Sequence, residues 1–278
     1  MQDKLSQRAR LRLLAVSINF IAMPSVETER SEALAAAAGS AEKRAYVRRV
    51  FSEIAPRYDL LNHVLSFNID KRWRRRAVAA LRWERDPAGL YVDLCAGTMD
   101  VSNELGRHPA FRGTVLGTDF AEPMLRAGRD KVASRPVAPV VADATALPLG
   151  SGSAAGAIVA FGVRNLADLD AGLAEAARVV RNGGTLVILE FSTPRVPVLR
   201  TLYRLYFHHV LPTLGRLVSR HRTAYRYLPA SVDNFPDERA LSQRMTRAGF
   251  ADVTVDRLSF GIAAIHAGVR RTGAGARA

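Results

Sequence analysis

Cysteine is nearly absent: Cys95 stands alone in 278 residues. That excludes a disulfide framework and any zinc site built on several cysteines, and it fits a reducing compartment. No apolar run reaches the roughly 18 residues of a bilayer-spanning helix. Thirteen prolines and 20 glycines are too few for a collagen-like or low-complexity chain. Acid is also short. Asp and Glu number 26 against 40 Lys and Arg, for a net charge of +14, and Phe191 to Val232 holds no acid at all. What remains is ordinary globular material, 48% hydrophobic and 24% charged. A chain this long buries a large core without staples, as one large domain or two small ones. The charge favours a polyanionic partner: nucleic acid, an anionic membrane surface or an anionic ligand.

Leu11–Met23 mimics the apolar part of a signal peptide, but Arg12 and Asn19 interrupt it and no small-residue cleavage site follows. Met23 is a second candidate start. Residues 1–40 are expected to be a flexible extension, 41–271 the folded domain and 272–278 a disordered tail. Val47, Val50, Phe51 and Ile54 recur at helical spacing and predict a helix that stops before Pro56. A second, basic helix carries Asp70–Arg76 and runs through Val78 to Leu81. Strands then alternate with helices. Leu90–Leu94, Thr114–Asp119, Pro139–Ala142, Ala157–Phe161 and Thr185–Leu189 are strands, and Pro123–Val132 and Leu169–Val180 are helices. This order predicts a parallel sheet covered on both faces. Val253–Leu258 and Ile262–Val269 about Gly261 predict an antiparallel hairpin closing it. Residues 191–232 are a long insertion carrying seven arginines interleaved with Tyr203, Tyr206 and Phe207.

In a doubly wound sheet, ligands bind beyond the carboxyl ends of the strands. The first strand ends Asp93-Leu94-Cys95-Ala96-Gly97-Thr98-Met99-Asp100. Gly97 allows a tight turn, and Thr98 and the following N–H groups can satisfy a ligand. Asp119 ends the second strand at the spacing of a ribose-binding carboxylate, although it is also placed to cap the next helix. Asp143 and Ala144 follow the third strand, where a carboxylate can accept an adenine amine and a backbone N–H can donate to the ring. A dinucleotide needs further glycines for its pyrophosphate, and none follows Gly97. Asp93 and Asp100 suit the sulfonium of S-adenosylmethionine instead.

These residues, with Ala55–Asn62, Ala160-Phe161-Gly162-Val163-Arg164-Asn165, Leu189-Glu190-Phe191-Ser192-Thr193-Pro194 and Tyr225-Arg226-Tyr227-Leu228-Pro229, resemble the menaquinone/ubiquinone biosynthesis C-methyltransferase family from about Val47 to Val269. The resemblance implies a class I, Rossmann-like methyltransferase: a mostly parallel seven-stranded sheet with an antiparallel C-terminal hairpin. It implies S-adenosylmethionine at Thr98, Asp119, Asp143, Ala144 and Ala160, beside Asp93 and Gly97 of the turn, and a polyprenyl quinol, demethylmenaquinol first, as substrate. The chain departs from the family pattern at Met99, which replaces a glycine and is expected to crowd the cofactor. It departs again at Ala154-Ala155-Gly156 and at Ala230.

Direct methyl transfer to a ring carbon needs alignment and a group to handle the hydroxyl proton, not a metal or a strong nucleophile. No metal-ligand spacing occurs. The ring-handling candidates are Tyr58, Asp59, Asn62, Arg164, Asn165 and Tyr227. Arg164 can stabilise a quinolate or pair with Asp168 four residues on; Asp59 can act as base or start a helix. His208, His209 and His221 are expected at the surface, and Cys95 as a small strand-end residue. The arginines of the insertion read as a solvated face, a nucleic-acid site without a supporting motif, or a dock on anionic lipid. The last places the protein peripherally on the cytoplasmic side of the membrane. Two rivals to an active quinol methyltransferase stay open: a non-catalytic cofactor- or lipid-binding relative, for which Met99 is the ground, and a methyltransferase for another small aromatic. Homo-oligomerisation is left open as well.

Overall fold

A computed structural model of the chain describes residues 26–39, 41–66, 68–206, 209 and 224–271. Among the described residues, four α-helices precede the sheet: α1 Val26–Ala37, α2 Lys43–Ile54, α3 Tyr58–Ser66 and α4 Ile69–Ala80. The alternating part is β1 Leu90–Leu94, α5 Asp100–Gly106, β2 Thr114–Asp119, α6 Glu122–Val132, β3 Val137–Val141, β4 Ala154–Ala160, α7 Leu169–Val179 and β5 Val180–Phe191. After it come α8 Pro197–Leu205, α9 Ala224–Asp233, α10 Glu238–Arg247, β6 Phe250–Leu258 and β7 Ala263–Arg270. The seven strands lie in the order β3-β2-β1-β4-β5-β7-β6. Pairing is parallel from β3 to β5, while β7 is antiparallel to both β5 and β6. The expected hairpin is there, with its second strand inserted beside β5.

Side-chain alternation explains the two layers. Tyr91, Ile158, Val187 and Leu189 face one side and meet Trp73 and Val78 of α4 and Val101 and Leu105 of α5. Val92, Leu94, Ala157, Val159, Leu186 and Ile188 face the other and meet Leu173 and Ala176 of α7 and Leu241 and Met245 of α10. Each Ile or Leu so buried contributes about 1.5–3 kcal/mol. The reversal of strand order between β1 and β4 opens a crevice at their carboxyl ends.

The stretch expected as a flexible extension contains α1, and this corrects that expectation for residues 26–37. Ala33, Ala36 and Ala37 form a small-residue stripe at three- and four-residue spacing that packs with Tyr46, Val47 and Tyr227. Residues 1–25, including Leu11–Met23, and the tail 272–278 lie outside the described residues. So do Phe207, His208, Arg216, Arg220, His221 and Arg222 of the insertion and the side chains of Tyr225 and Arg226; His209 is exposed. Among the described residues no helix is long and apolar enough to cross a membrane, and no cluster of three His, Cys, Asp or Glu side chains can hold a metal.

Candidate functional site

The turn after β1 folds because three of its residues adopt positive φ: Cys95 (52°), Gly97 (55°) and Met99 (61°). Phe161, after β4, does the same at 58°. Non-glycine residues rarely hold this conformation without support from their surroundings, and such strain clusters at functional sites. Hydrogen bonds supply the support. Ala96 N–H donates to Thr118 O at 2.9 Å, and Met99 N–H to Ala96 O at 2.8 Å. Gly97 N–H donates to Asp119 Oδ2 at 2.9 Å, and Ala121 N–H to Asp119 Oδ1 at 2.8 Å. Asp119 thus braces two turns, one on each side of the crevice. Burial pushes its carboxyl up, and the N–H groups of Ala121, Gly97 and Phe120 oppose that.

A cleft of about 190 Å³ opens here. Tyr58, Gly97, Asp119, Asp143, Ala144, Ala160 and Asn165 line it, so five expected cofactor residues and two expected ring residues share one cavity. Phe51 of α2, Tyr58 of α3 and Met124 of α6 close it from above. Arg44 of α2 pairs with Asp143 at 2.7 Å. Asp143 Oδ1 also accepts Thr145 N–H at 2.8 Å. Asn165 Oδ1 is buried without a partner among the described residues, while its Nδ2 leans on Phe161 O at 3.5 Å.

Two expected cofactor residues do not reach the cleft. Asp93 is fully buried and accepts both Ser102 N–H (3.0 Å) and Ser102 Oγ–H (2.6 Å), tying β1 to the first turn of α5. Burial raises its carboxyl to about 7, and the Ser102 bonds oppose the rise. Thr98 Oγ1 donates to Asp59 Oδ1 at 2.5 Å and accepts Lys131 Nζ at 3.1 Å. Both brace the turn from behind.

Asp59 is also corrected. It lies in the first turn of α3, as the helix-start alternative held. Its carboxylate meets Lys131 Nζ at 2.6 Å, and Lys131 meets Asp100 Oδ1 at the same distance. The carboxylate is engaged by that ammonium and does not line the cleft, so it is not placed to act on a ring held there. Met99 carries the third correction. Its side chain is wholly buried with Leu125 and Val132, and it does not line the cleft. The side chain therefore does not enter the cleft.

Arg164 sits beside the cleft, buried, and its partner is Glu190 of β5 at 2.7 Å rather than Asp168. Asp168 instead caps α7 by accepting Ala171 N–H at 3.0 Å. Arg164 NH1 also donates to Phe161 O at 2.5 Å, Phe191 N–H donates to Glu190 Oε1 at 2.9 Å, and Arg164 Nε has no partner among the described residues. The guanidinium lies 5.4 Å from the centre of the Phe191 ring. Its charge partly offsets the burial that raises the hydroxyls of Tyr58, Tyr203 and Tyr227. Asn62 hydrogen-bonds Tyr58. Tyr227 stacks tilted on Tyr46 at 5.5 Å, away from the cleft lining. Glu190 was not among the expected site residues although its signal is plain: a buried acid directly after the apolar run Leu186–Leu189 of β5. Arg44 and Lys131, single charges on helix faces, carried no such signal.

A model of the ubiE/COQ5 methyltransferase family matches residues 39–270. The chain is 48% identical over 223 residues to a demethylmenaquinone methyltransferase of Thermus thermophilus, covering 80% of this chain and all of that one. It is 43% identical over 231 residues to a ubiquinone/menaquinone biosynthesis C-methyltransferase of Geobacter sulfurreducens, covering 82% and 89%. Among solved structures, an S-adenosylmethionine-dependent methyltransferase of Thermotoga maritima, a possible histamine N-methyltransferase, has a TM-score of 0.58 at 19% identity, covering 81% of this chain and all of that one. At that identity the likeness shows the fold alone.

Proposed function

The chain belongs to the ubiE/COQ5 methyltransferase family, and from that membership we propose how its site works. It is an S-adenosylmethionine-dependent C-methyltransferase of ubiquinone/menaquinone biosynthesis, and its substrate is a quinol. The finer reading is a polyprenyl demethylmenaquinol converted to menaquinol.

The residues fit the cofactor. The cleft offers carboxylates and no glycine-rich phosphate cradle, which suits a sulfonium ligand without phosphates. Glycine keeps the floor open at position 97, where a Cβ would come within 3.3 Å of Met124 Cε. Asp119 would hold the ribose hydroxyls, Asp143 and the Ala144 N–H the adenine, and Ala160 the adjoining wall; Asp93 and Thr98 stiffen the turn. When bound, S-adenosylmethionine supplies an electrophilic methyl group.

The single observation that carries the chemistry is the Arg164–Glu190 pair, buried next to the cleft. A quinolate oxygen pushes electron density to its ortho carbon, and a fixed guanidinium lowers the cost of forming that anion in a dry site. Asn165 Oδ1, unpartnered among the described residues and lining the cleft, accepts the hydrogen bond of a quinol hydroxyl. Tyr58, held by Asn62, packs against the ring. Tyr227 shapes the wall behind Arg164. The new C–C bond forms as the methyl–sulfur bond breaks, and the ring proton then passes to solvent water as aromaticity returns. The reading as a non-catalytic relative rested on Met99, and its burial removes that ground.

The test is complementation of a menaquinone-deficient strain with mass analysis of extracted quinones. Conversion of demethylmenaquinone to menaquinone, a gain of one methyl group, is the expected result. Methylation of a benzoquinone alone moves the substrate to the ubiquinone branch, and no methylated quinone defeats the assignment.

The acid-free segment 191–232 serves, in this reading, to dock the enzyme peripherally on the cytoplasmic face of an anionic membrane where a polyprenyl quinol resides. Each basic residue near such a surface contributes about 1 kcal/mol, fading within a Debye length. Flotation with anionic and neutral liposomes tests this, and equal binding to both defeats it.

A further inference from the structure

The turn joining β6 to β7 has an unusual build. Ser259, Phe260 and Gly261 hold φ of 47°, 59° and 92°, so two non-glycine residues in a row occupy the left-handed region. Phe260 is 80% exposed. An aromatic ring presented to water on strained backbone contributes no packing to the fold. The strain is held from outside: Trp73 Nε1–H donates to Ser259 Oγ at 3.0 Å, and a Cβ at Gly261 would stand 3.5 Å from Pro194 Cα.

Pro194 leads directly into α8, so the turn and that helix share a seam. None of the residues of α8 is buried. Val198, Leu202 and Leu205 recur at four- and three-residue spacing and are 67%, 57% and 55% exposed. On the other flank Ile69, exposed and one helical turn before Trp73, belongs to the same rim. The rim lies at the carboxyl end of the parallel strands, because Ala263 pairs with Phe191 at the end of β5. The cleft opens at that same end.

Charge decides the occupant. Arg195, Arg200 and Arg204 are exposed around α8, and Lys71, Arg72, Arg75 and Arg76 on α4. Acids offset two of these cations, Glu238 at Arg195 and Asp256 at Arg76, and the field stays strongly basic. Apolar tips within a basic field match an anionic bilayer, whose headgroups meet the cations while its acyl region takes the tips. A second copy of this chain, itself carrying +14, would repel the rim.

We infer that Phe260 and the apolar face of α8 form a two-pronged lipid wedge that seats the cleft against an anionic membrane. The inference rests on the docking reading above and adds a salt-resistant, apolar component outside the arginine-rich charge.

The full chain is floated with phosphatidylcholine vesicles and with mixed phosphatidylcholine/phosphatidylglycerol vesicles, at low and high salt. Wild type should bind the mixed vesicles at low salt and keep a residual bound fraction at high salt. Phe260→Ser should lower partitioning roughly tenfold and abolish that residual fraction. Val198→Ser with Leu202→Ser should do the same from the other prong. Thermal midpoint and calorimetric cofactor affinity should stay at wild-type values, since none of these residues lines the cleft. Phe260→Trp should gain fluorescence that lipids brominated in the acyl chain quench. If wild type binds and Phe260→Ser binds equally, the docking reading stands and the wedge is wrong. If wild type binds neither vesicle, both fail together. If Phe260→Ser instead changes the mass of the protein in solution without vesicles, the rim is a contact between copies and the inference is overturned.

Discussion

Gly97 and Asp119, 22 positions apart in the chain, meet at 2.9 Å through a main-chain N–H donating to a carboxylate oxygen. The same carboxylate also accepts Ala121 N–H. One side chain therefore fixes the turn after β1, fixes the entry to α6 and lines the cleft between them. Asp119→Ala should weaken S-adenosylmethionine binding by about 1.5–3 kcal/mol, the worth of hydrogen bonds to a charged group. Calorimetric titration reads this directly. An affinity equal to wild type, with a lowered thermal midpoint, would mean that the carboxylate serves the two turns alone.

Asp93 makes stability depend on pH. Burial raises its carboxyl from 3.8 to about 7. Between those values the folded chain holds a proton that the unfolded chain has released. The stability from this group is full below about pH 4 and is lost as pH rises through about 7. Asp119 and Glu190 are shifted the same way by burial, whereas burial lowers His266 and acts against stability on the acid side. Asp93→Asn keeps an acceptor for Ser102 and removes the titration. Thermal scans from about pH 4 to 7 should show the stability of the variant relative to wild type rising with pH; parallel curves would mean that Asp93 does not titrate in this window.

Met99 sets two effects against each other. Its left-handed backbone, φ 61°, costs roughly 1–2 kcal/mol for a non-glycine residue. Its buried thioether side chain packs with Leu125 and Val132, and truncating such a group costs about 2–5 kcal/mol. Packing outweighs the backbone cost. Met99→Gly should therefore destabilise the protein in urea titration while leaving cofactor affinity near wild type. Tighter cofactor binding would show that the side chain obstructs the cleft after all.

The sheet was legible because buried parallel strands are short apolar runs with few alternatives, as Leu90–Leu94 and Thr114–Asp119 show. The cofactor side of the cleft was legible because strand ends converge, which brought Gly97, Asp119, Asp143, Ala144 and Ala160 together. What failed depended on side-chain direction. Asp93, Thr98 and Met99 sit in the right turn, but their side chains point behind it, and sequence position does not encode that. Helix α1 failed for another reason: an alanine stripe has little hydrophobic signal of its own and gains its helix by packing on Tyr46, Val47 and Tyr227. Glu190 and Arg164 are 26 positions apart, and only the β4–β5 pairing makes them neighbours.

That pair offers the sharpest separation of structure from chemistry. Arg164 and Glu190 have side chains 6% and 2% exposed, so neither charge has water to fall back on. Glu190→Ala leaves a buried guanidinium unpaired and should cost about 3–5 kcal/mol of stability. Arg164→Met should cost a similar amount by stranding the carboxylate, although burial already favours protonation of Glu190 and softens that loss. Arg164→Met with Glu190→Leu removes both charges and fills the same space, so its stability should return to within about 1–2 kcal/mol of wild type. If the guanidinium stabilises the quinolate, the double variant folds and binds cofactor yet transfers methyl groups to a short-chain quinol at least a hundredfold more slowly, roughly the loss of one oxyanion-type donor. Urea titration and a soluble-quinol assay on the three variants decide it. A stable double variant that still turns over would reduce the pair to a structural strut, and Asn165, with its Oδ1 buried in the cleft, would be the group to test next.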